Sequence, residues 1–195
     1  MQTRLVVVFV SLSLLLQGCM NAAVTGAQTV YNRQSLQKNF KDQYISLQAY
    51  QKINNVDNKE FKNANVTVAT YNREVLLTGQ VPEVWQREKA EALVKKIPDV
   101  EKVYNLIKIA SPSSTLIRIS DAWLTTKVKA KLIASNDVDA TQVKVVSENG
   151  TVYLMGILPP DQADAAVNIA SSTAGVESVV KIFSYITISK RRYII

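Results

Sequence analysis

An internal repeat restricts the fold more than any other feature of this chain. "VLLTGQVP" (Val75–Pro82) and "VYLMGILP" (Val152–Pro159) share the pattern V-x-L-x-G-x-x-P at an offset of 77 residues. Downstream, "VEKVYNLIKI" (Val100–Ile109) parallels "VESVVKIFSY" (Val176–Tyr185) at an offset of 76. Upstream, "DQYISLQAYQKI" (Asp42–Ile53) parallels "DAWLTTKVKAKL" (Asp121–Leu132) at 79. Three blocks in one order at a nearly constant spacing mean a tandem duplication with short insertions. The chain is then two similar small units rather than one large core.

Each copy reads in the same way. Ile45, Ala49 and Ile53, and likewise Leu124, Val128 and Leu132, recur at i, i+4, i+8 with polar residues opposite, which is a helical period. Asp42 and Asp121 sit near the starts of these segments, where a carboxylate suits a cap or the helix dipole. Val66, Val68 and Thr70, then Asn72-Arg73, then Val75, Leu77, Gly79 and Val81 give period two on both sides of a turn, a β-hairpin. In the second copy Val143 and Val145 precede Asn149-Gly150, then Val152, Leu154 and Gly156. Asn-Gly signals a type I′ turn, whose two central residues need positive φ. Gly79 and Gly156 inside strand patterns mark a bulge or a close approach. Pro82 and Pro159 end the strands and open second helices, with stripes Ala90, Leu93, Val94, Ile97 and Ala166, Ile169, Ala170, Thr173; Pro98 and Gly175 stop them. A β-branched run closes each copy. A helix between strands of one sheet makes a right-handed crossover. The expected fold is therefore α+β: two tandem αββαβ units, each a three-stranded mixed sheet covered by two helices. At roughly 65–75 residues such a unit is marginal alone, so the two are expected to lean on each other.

The units are expected at 36–110 and 116–189, joined by the linker "SPSST" (111–115) and followed by a basic tail, "KRRYII" (190–195). Ahead of them, Leu5–Leu16 is apolar apart from Ser11 and Ser13 and follows Arg4. It is shorter than the roughly 20 residues of a spanning helix and matches the apolar core of a secretory signal peptide. Leu16-Gln17-Gly18-Cys19 resembles the bacterial lipobox. That resemblance implies a signal peptide over residues 1–18, diacylglycerol on the Cys19 sulfur, and acylation of the amino terminus exposed by cleavage after Gly18. Residues 19–35, rich in Ala, Thr, Gln and Asn, then form a lipidated tether. The alternatives are a secreted protein with an ordinary cleavage site, or a buried free thiol.

The chain has no histidine and a single cysteine. A Cys/His zinc site and a Ser-His-Asp triad are thereby excluded, and the commonest general base is missing. The carboxylates show no pair placed for catalysis, so no enzymatic activity, cofactor or metal is expected; a hydrolase working through carboxylates is the remote alternative. The net charge of +7 calls for an anionic partner. In an exported protein that partner is phospholipid or another envelope component rather than nucleic acid.

The charge is unevenly placed. Residues 36–110 hold twelve basic and nine acidic residues, and residues 111–189 hold six and seven. Yet four of those six cations, Arg118, Lys127, Lys129 and Lys131, lie in one helical region. Trp123, Lys127 and Lys131 form a stripe about 100° from the core stripe. An indole aligned with ammonium groups suits a membrane interface. In the first unit the equivalent stripe is Tyr44, Gln48 and Lys52, which is weaker. The expected phospholipid-binding set is Arg118, Trp123, Leu124, Lys127 and Lys131. The competing reading packs Trp123 at a domain edge and leaves the lysines as a solvated face.

The αββαβ unit with its strand glycine and its closing strand resembles the BON domain. Two such units behind a lipobox resemble the dual-BON-domain lipoproteins of Gram-negative outer membranes, the DolP group. "VLLTGQVP", "KVYN" (Lys102–Asn105), "DAWLTTKVKAKL" and "VKVVSENGTVYLMG" carry the likeness over nearly all of the chain after Cys19. The resemblance implies a periplasm-facing lipoprotein that binds anionic phospholipid through the second domain. It also implies support of outer-membrane integrity and of outer-membrane protein assembly. Met20, rather than the aspartate that retains lipoproteins in the inner membrane, follows Cys19, which agrees with outer-membrane sorting. The other function class is a protein-binding scaffold for the barrel-assembly machinery or another envelope complex, docking through the Trp123 face. The first helix of the first domain and the basic tail depart from the family pattern.

Overall fold

The computed structural model describes residues 26–54 and 59–185. Its helices and strands run α1 (Gly26–Asn54), β1 (Asn65–Tyr71), β2 (Glu74–Val81), α2 (Val84–Lys95), β3 (Lys102–Asn105), β4 (Lys108–Ile109), α3 (Thr115–Ala134), β5 (Val143–Glu148), β6 (Thr151–Leu158), α4 (Pro160–Ser171) and β7 (Ser178–Tyr185). Cys19, the signal segment, the start of the tether and the basic tail lie outside the described residues. α1 begins at Gly26, so part of the expected tether is helical. The reason is local: after Gly26 the segment holds good helix formers such as Ala27, Gln28 and Leu36, with no proline.

From Lys38 onward the chain forms one compact unit. Within it each repeat pairs a hairpin antiparallel and adds a crossover strand in parallel. β1 pairs β2 with Val66 opposite Gly79, and β3 and β4 follow β2 in parallel. β5 pairs β6 with Val143 opposite Gly156, and β7 runs parallel to β6. The fold is α+β with two mixed sheets. The first sheet differs from the expected three strands because its last strand breaks at Leu106-Ile107. Asn105 causes the break: its Nδ2 donates to the Arg87 carbonyl (2.9 Å) and to Glu91 Oε2 (3.1 Å), drawing the chain toward α2. Lys95, with help from Asn105, holds the Glu91 carboxyl below its usual range. The second copy has Lys181 at the matching position, and β7 is continuous.

The expected helical stripes are the inner faces. Ile45, Ala49, Ile53, Ala90 and Val94 close over Val75, Leu77 and Val81. Leu124, Val128, Leu132, Ala166 and Ala170 close over Val145, Val152 and Leu154. The other faces of the two sheets meet each other. Ala69 and Leu76 pack on Tyr153, Met155 and Ile182. The sheets therefore stack face to face with helices outside both. At one end of the stack the Glu148 carboxylate, 6 % exposed, accepts from Thr67 Oγ1 (3.1 Å) and Gln80 Nε2 (2.9 Å). Gln80 Oε1 in turn accepts from the Ser113 amide (3.0 Å) and hydroxyl (2.9 Å), which pins the linker. At the other end the Tyr71 hydroxyl donates to Gln142 Oε1 (3.1 Å). Burial pushes the Tyr153 phenol up, and the Glu148 charge adds to the effect.

Asp42 and Asp121 do not cap helices. α3 starts at Thr115, where the Ser114 hydroxyl accepts from Ile117 N–H, so Asp121 lies well inside the helix and is buried. Its carboxylate accepts from the Asn149 amide (2.7 Å) and the Gly150 amide (3.0 Å). Asp42 takes the Asn72 and Arg73 amides in the same way (2.7 and 2.8 Å). In both turns the two central residues have positive φ: 48° and 67° at Asn72-Arg73, 50° and 73° at Asn149-Gly150. Such a turn aims two N–H groups away from its own ladder, and a buried donor must find an acceptor. The helix supplies one.

Candidate functional site

Most of the residues expected to form the site lie on the exposed side of α3. Asp121, Leu124, Val128 and Leu132 are its buried residues. Leu124 is 4 % exposed and belongs to the second core, so it is removed from the contact set. One step along a helix turns a side chain by about 100°, which takes position 124 inward when position 123 points out. Trp123 is 64 % exposed. On its flank, Lys127 Nζ donates to the Ala174 carbonyl (2.6 Å) and Lys131 Nζ to the Ser172 carbonyl (3.4 Å). These carbonyls follow the C-terminal end of α4, where the helix dipole is negative. Arg118 Nη2 donates to Thr115 Oγ1 (3.2 Å). The structure thus brings Trp123, Lys127 and Lys131 along one side of α3 and places Arg118, with Lys129, along another.

Two further residues, Leu116 and Ile119, complete the face. Leu116, Ile117 and Ile119 are exposed in the first two turns of α3, Leu116 by 79 %. With about 100° per residue, Leu116, Ile119 and Trp123 fall within about 60° of one another. They make an apolar strip flanked on one side by Lys127 and Lys131, about 40° and 80° from Trp123, while Arg118 and Lys129 lie about 120–140° round the other way. The segment "STLIRISD" offered the signal: a capping serine followed by apolar residues at i and i+3.

The two repeats treat their charges differently. Lys41–Asp99 (3.5 Å), Arg73–Glu101 (2.8 Å), Lys95–Glu91 (2.6 Å) and Lys89–Glu60 are ion pairs of the first repeat. Among the described residues, no cation of the second repeat is paired with a carboxylate. The second repeat therefore shows unneutralised positive charge on α3 although its acids outnumber its bases.

A polar cleft of about 500 Å³ lies elsewhere, lined by Asp42, Gln43, Ser46, Thr70, Tyr71 and Lys144 among others. Its carboxylate is already occupied by the hairpin turn. Among the described residues no helix is long and apolar enough to cross a membrane.

The comparisons with known proteins agree with this architecture. A model of the BON domain matches twice, at residues 41–111 and 120–187. Outer membrane lipoprotein DolP of Haemophilus influenzae is 37% identical over 182 residues, covering 89% of this chain and 92% of that protein. A 21 kDa hemolysin of Actinobacillus pleuropneumoniae is 41% identical over 123 residues, 63% of each chain. Osmotically-inducible protein Y of Escherichia coli is 31% identical over 127 residues, 64% of this chain and 63% of that protein.

Proposed function

This chain belongs to the BON-domain family, and on that premise we propose that it is a non-enzymatic lipoprotein of the outer membrane that reads anionic phospholipid through its second domain. Cys19 would carry the acyl anchor, and the periplasmic face of the outer membrane would be its place, in keeping with the name of the Haemophilus relative. Its role would be to support the integrity of that membrane. The observation that carries the reading is the strip Leu116, Ile119 and Trp123, exposed and bordered by cations without carboxylate partners. An exposed apolar strip with lysines on its flank fits a helix lying in a bilayer interface. Basic residues near an anionic surface contribute about 1 kcal/mol each. A modest affinity is sufficient, because an acyl anchor of ~0.8 kcal/mol per buried methylene already holds the chain at high local concentration.

Flotation of an unacylated Cys19→Ser form tests this. It is expected to rise with phosphatidylglycerol vesicles and to stay down with neutral phosphatidylcholine. Trp123→Glu should weaken the partitioning by about tenfold or more, since it both removes an exposed indole that the bilayer would bury and adds an anion. Lys127→Glu with Lys131→Glu should do the same and abolish the lipid preference. Equal flotation of Trp123→Glu and the parent would remove the site. A second reading, docking of a protein of the barrel-assembly machinery on the same face, draws on the engagement of Lys127 and Lys131 by the end of α4. It predicts no flotation with either vesicle.

A further inference from the structure

We propose that the free edge of β1 is a docking site for an extended segment of another polypeptide, one that carries an acidic residue. The proposal is independent of the lipid reading of α3.

β1 is the outer strand of its sheet and pairs with β2 alone. The hairpin decides which of its main-chain groups face outward. Asn72 and Arg73 form a two-residue turn, so the flanking pair, Tyr71 and Glu74, exchanges hydrogen bonds across the ladder. In an antiparallel ladder such pairs alternate with pairs that are not bonded to each other. The N–H and C=O groups of Val66, Val68 and Thr70 therefore point away from β2. A hydrogen bond fixes the same parity independently: the Val66 carbonyl accepts from Asn54 Nδ2 (2.9 Å), outside the sheet. The outward main-chain groups of Val68 and Thr70 have no partner among the described residues.

Those two residues line the polar cleft of about 500 Å³. Gln43 and Ser46 of α1 stand on one side of it, and Thr141, Val143 and Lys144 on the other. The second wall is there because β5 lies across β1 in the stack: Thr67 bonds to Glu148, the last residue of β5, and Tyr71 to Gln142, just ahead of it. A row of unmet donors and acceptors thus opens into a trough, and its volume falls within the roughly 300–1,000 Å³ of ligand sites.

Edge strands are ordinarily blunted by charge, proline or short length. β5, the neighbouring edge strand, carries Lys144 and Glu148. β1 has neither a charge nor a proline in its seven residues, and Val66, Val68, Thr70 and Tyr71 are strand formers. An unguarded edge of this kind is a template for a further strand, held by main-chain hydrogen bonds with side-chain contacts supplying the choice. Lys144 makes that choice. It is exposed and has no carboxylate partner among the described residues. Asp42, also in the cleft, is taken up by the Asn72 and Arg73 amides. An acidic side chain on the incoming strand would meet an open cation there. A second copy of β1 brings no acid, so the edge suits a foreign segment better than its own twin.

Amide hydrogen exchange read by NMR on the full unacylated chain, Cys19→Ser, tests this. The probe is a short capped peptide of alternating threonine and valine with a central glutamate. At saturation it should slow exchange of the Val68 and Thr70 amides by about tenfold or more. The same peptide N-methylated throughout lacks the donors and should slow neither. Lys144→Glu should weaken binding of the glutamate peptide by about fivefold, and a peptide with lysine in place of glutamate should recover it. Unchanged exchange at Val68 and Thr70 with the peptide in excess overturns the proposal, as does equal slowing by the N-methylated form. Slowing that appears in the protein alone and grows with its concentration gives the edge to a second copy and overturns it too.

Discussion

Gly79→Ala is expected to unfold the first sheet. The residue stands in β2 opposite Val66 with φ +107°, and a Cβ built on it would lie 2.0 Å from the Asn65 carbonyl oxygen. Two penalties coincide. An L side chain is strained at that φ, and the atom it meets is backbone, held in place by the β1–β2 ladder rather than free to swing away. Overpacking of this kind costs about 3 kcal/mol, and the backbone strain adds about 1–3 kcal/mol. The total approaches the whole stability of a small domain. Gly156→Ala is the graded control. Its Cβ would lie 2.5 Å from the Gln142 carbonyl oxygen, without a positive φ, so it should destabilise less. Urea unfolding followed by circular dichroism reads both. A Gly79→Ala chain with the parental midpoint would refute the close-approach account of this glycine.

Asp121→Ala should be nearly as damaging, through lost hydrogen bonds rather than a clash. The carboxylate satisfies two amides of the β5–β6 turn from a buried position. Hydrogen bonds to a charged group contribute about 1.5–3 kcal/mol each, and a stranded buried donor adds its own penalty. A loss of about 3–5 kcal/mol is expected, or roughly 10 °C in Tm for a unit of this size. Asp121→Asn should recover only part of it, because an amide offers one acceptor oxygen where the turn asks for two. Asp42→Ala should repeat the pattern in the first domain, where the same bonds reach Asn72 and Arg73. Equal melting of Asp121→Asn and the parent would show that the second carboxylate oxygen contributes nothing to the cradle.

Periodicity made the units legible, and where period carried no information the sequence misled. The stripes Ile45–Ala49–Ile53 and Leu124–Val128–Leu132 and the two hairpin turns follow from spacing and turn chemistry, and all lie where that chemistry puts them. The stacking of the sheets was hidden. Alternation in β2 looks the same whether Leu76 meets water or Tyr153, and only the density of large residues in "VYLMG" hinted at a second buried face. A carboxylate near the start of a helical pattern reads as a cap, so the reach of Asp42 and Asp121 to the turns could not be seen. The candidate face was half legible. Trp123 and the lysines stood out as an odd edge, while Leu116 and Ile119 were missed because the duplicated block begins at Asp121. Leu124 was included in the contact set although its own stripe marked it as interior.

Back-to-back stacking also changes what the duplication can be used for. Two copies of a domain would ordinarily offer two equivalent sites. Here the sheets hide the surface the copies have in common, and α1 and α3 look out in opposite directions. One exterior shows Tyr44, Leu47 and Tyr50, and the other shows Trp123 beside Lys127. The two exteriors therefore differ in what they offer to outside molecules. A binder gripping one exterior leaves the other vacant, and the two can be filled without competition.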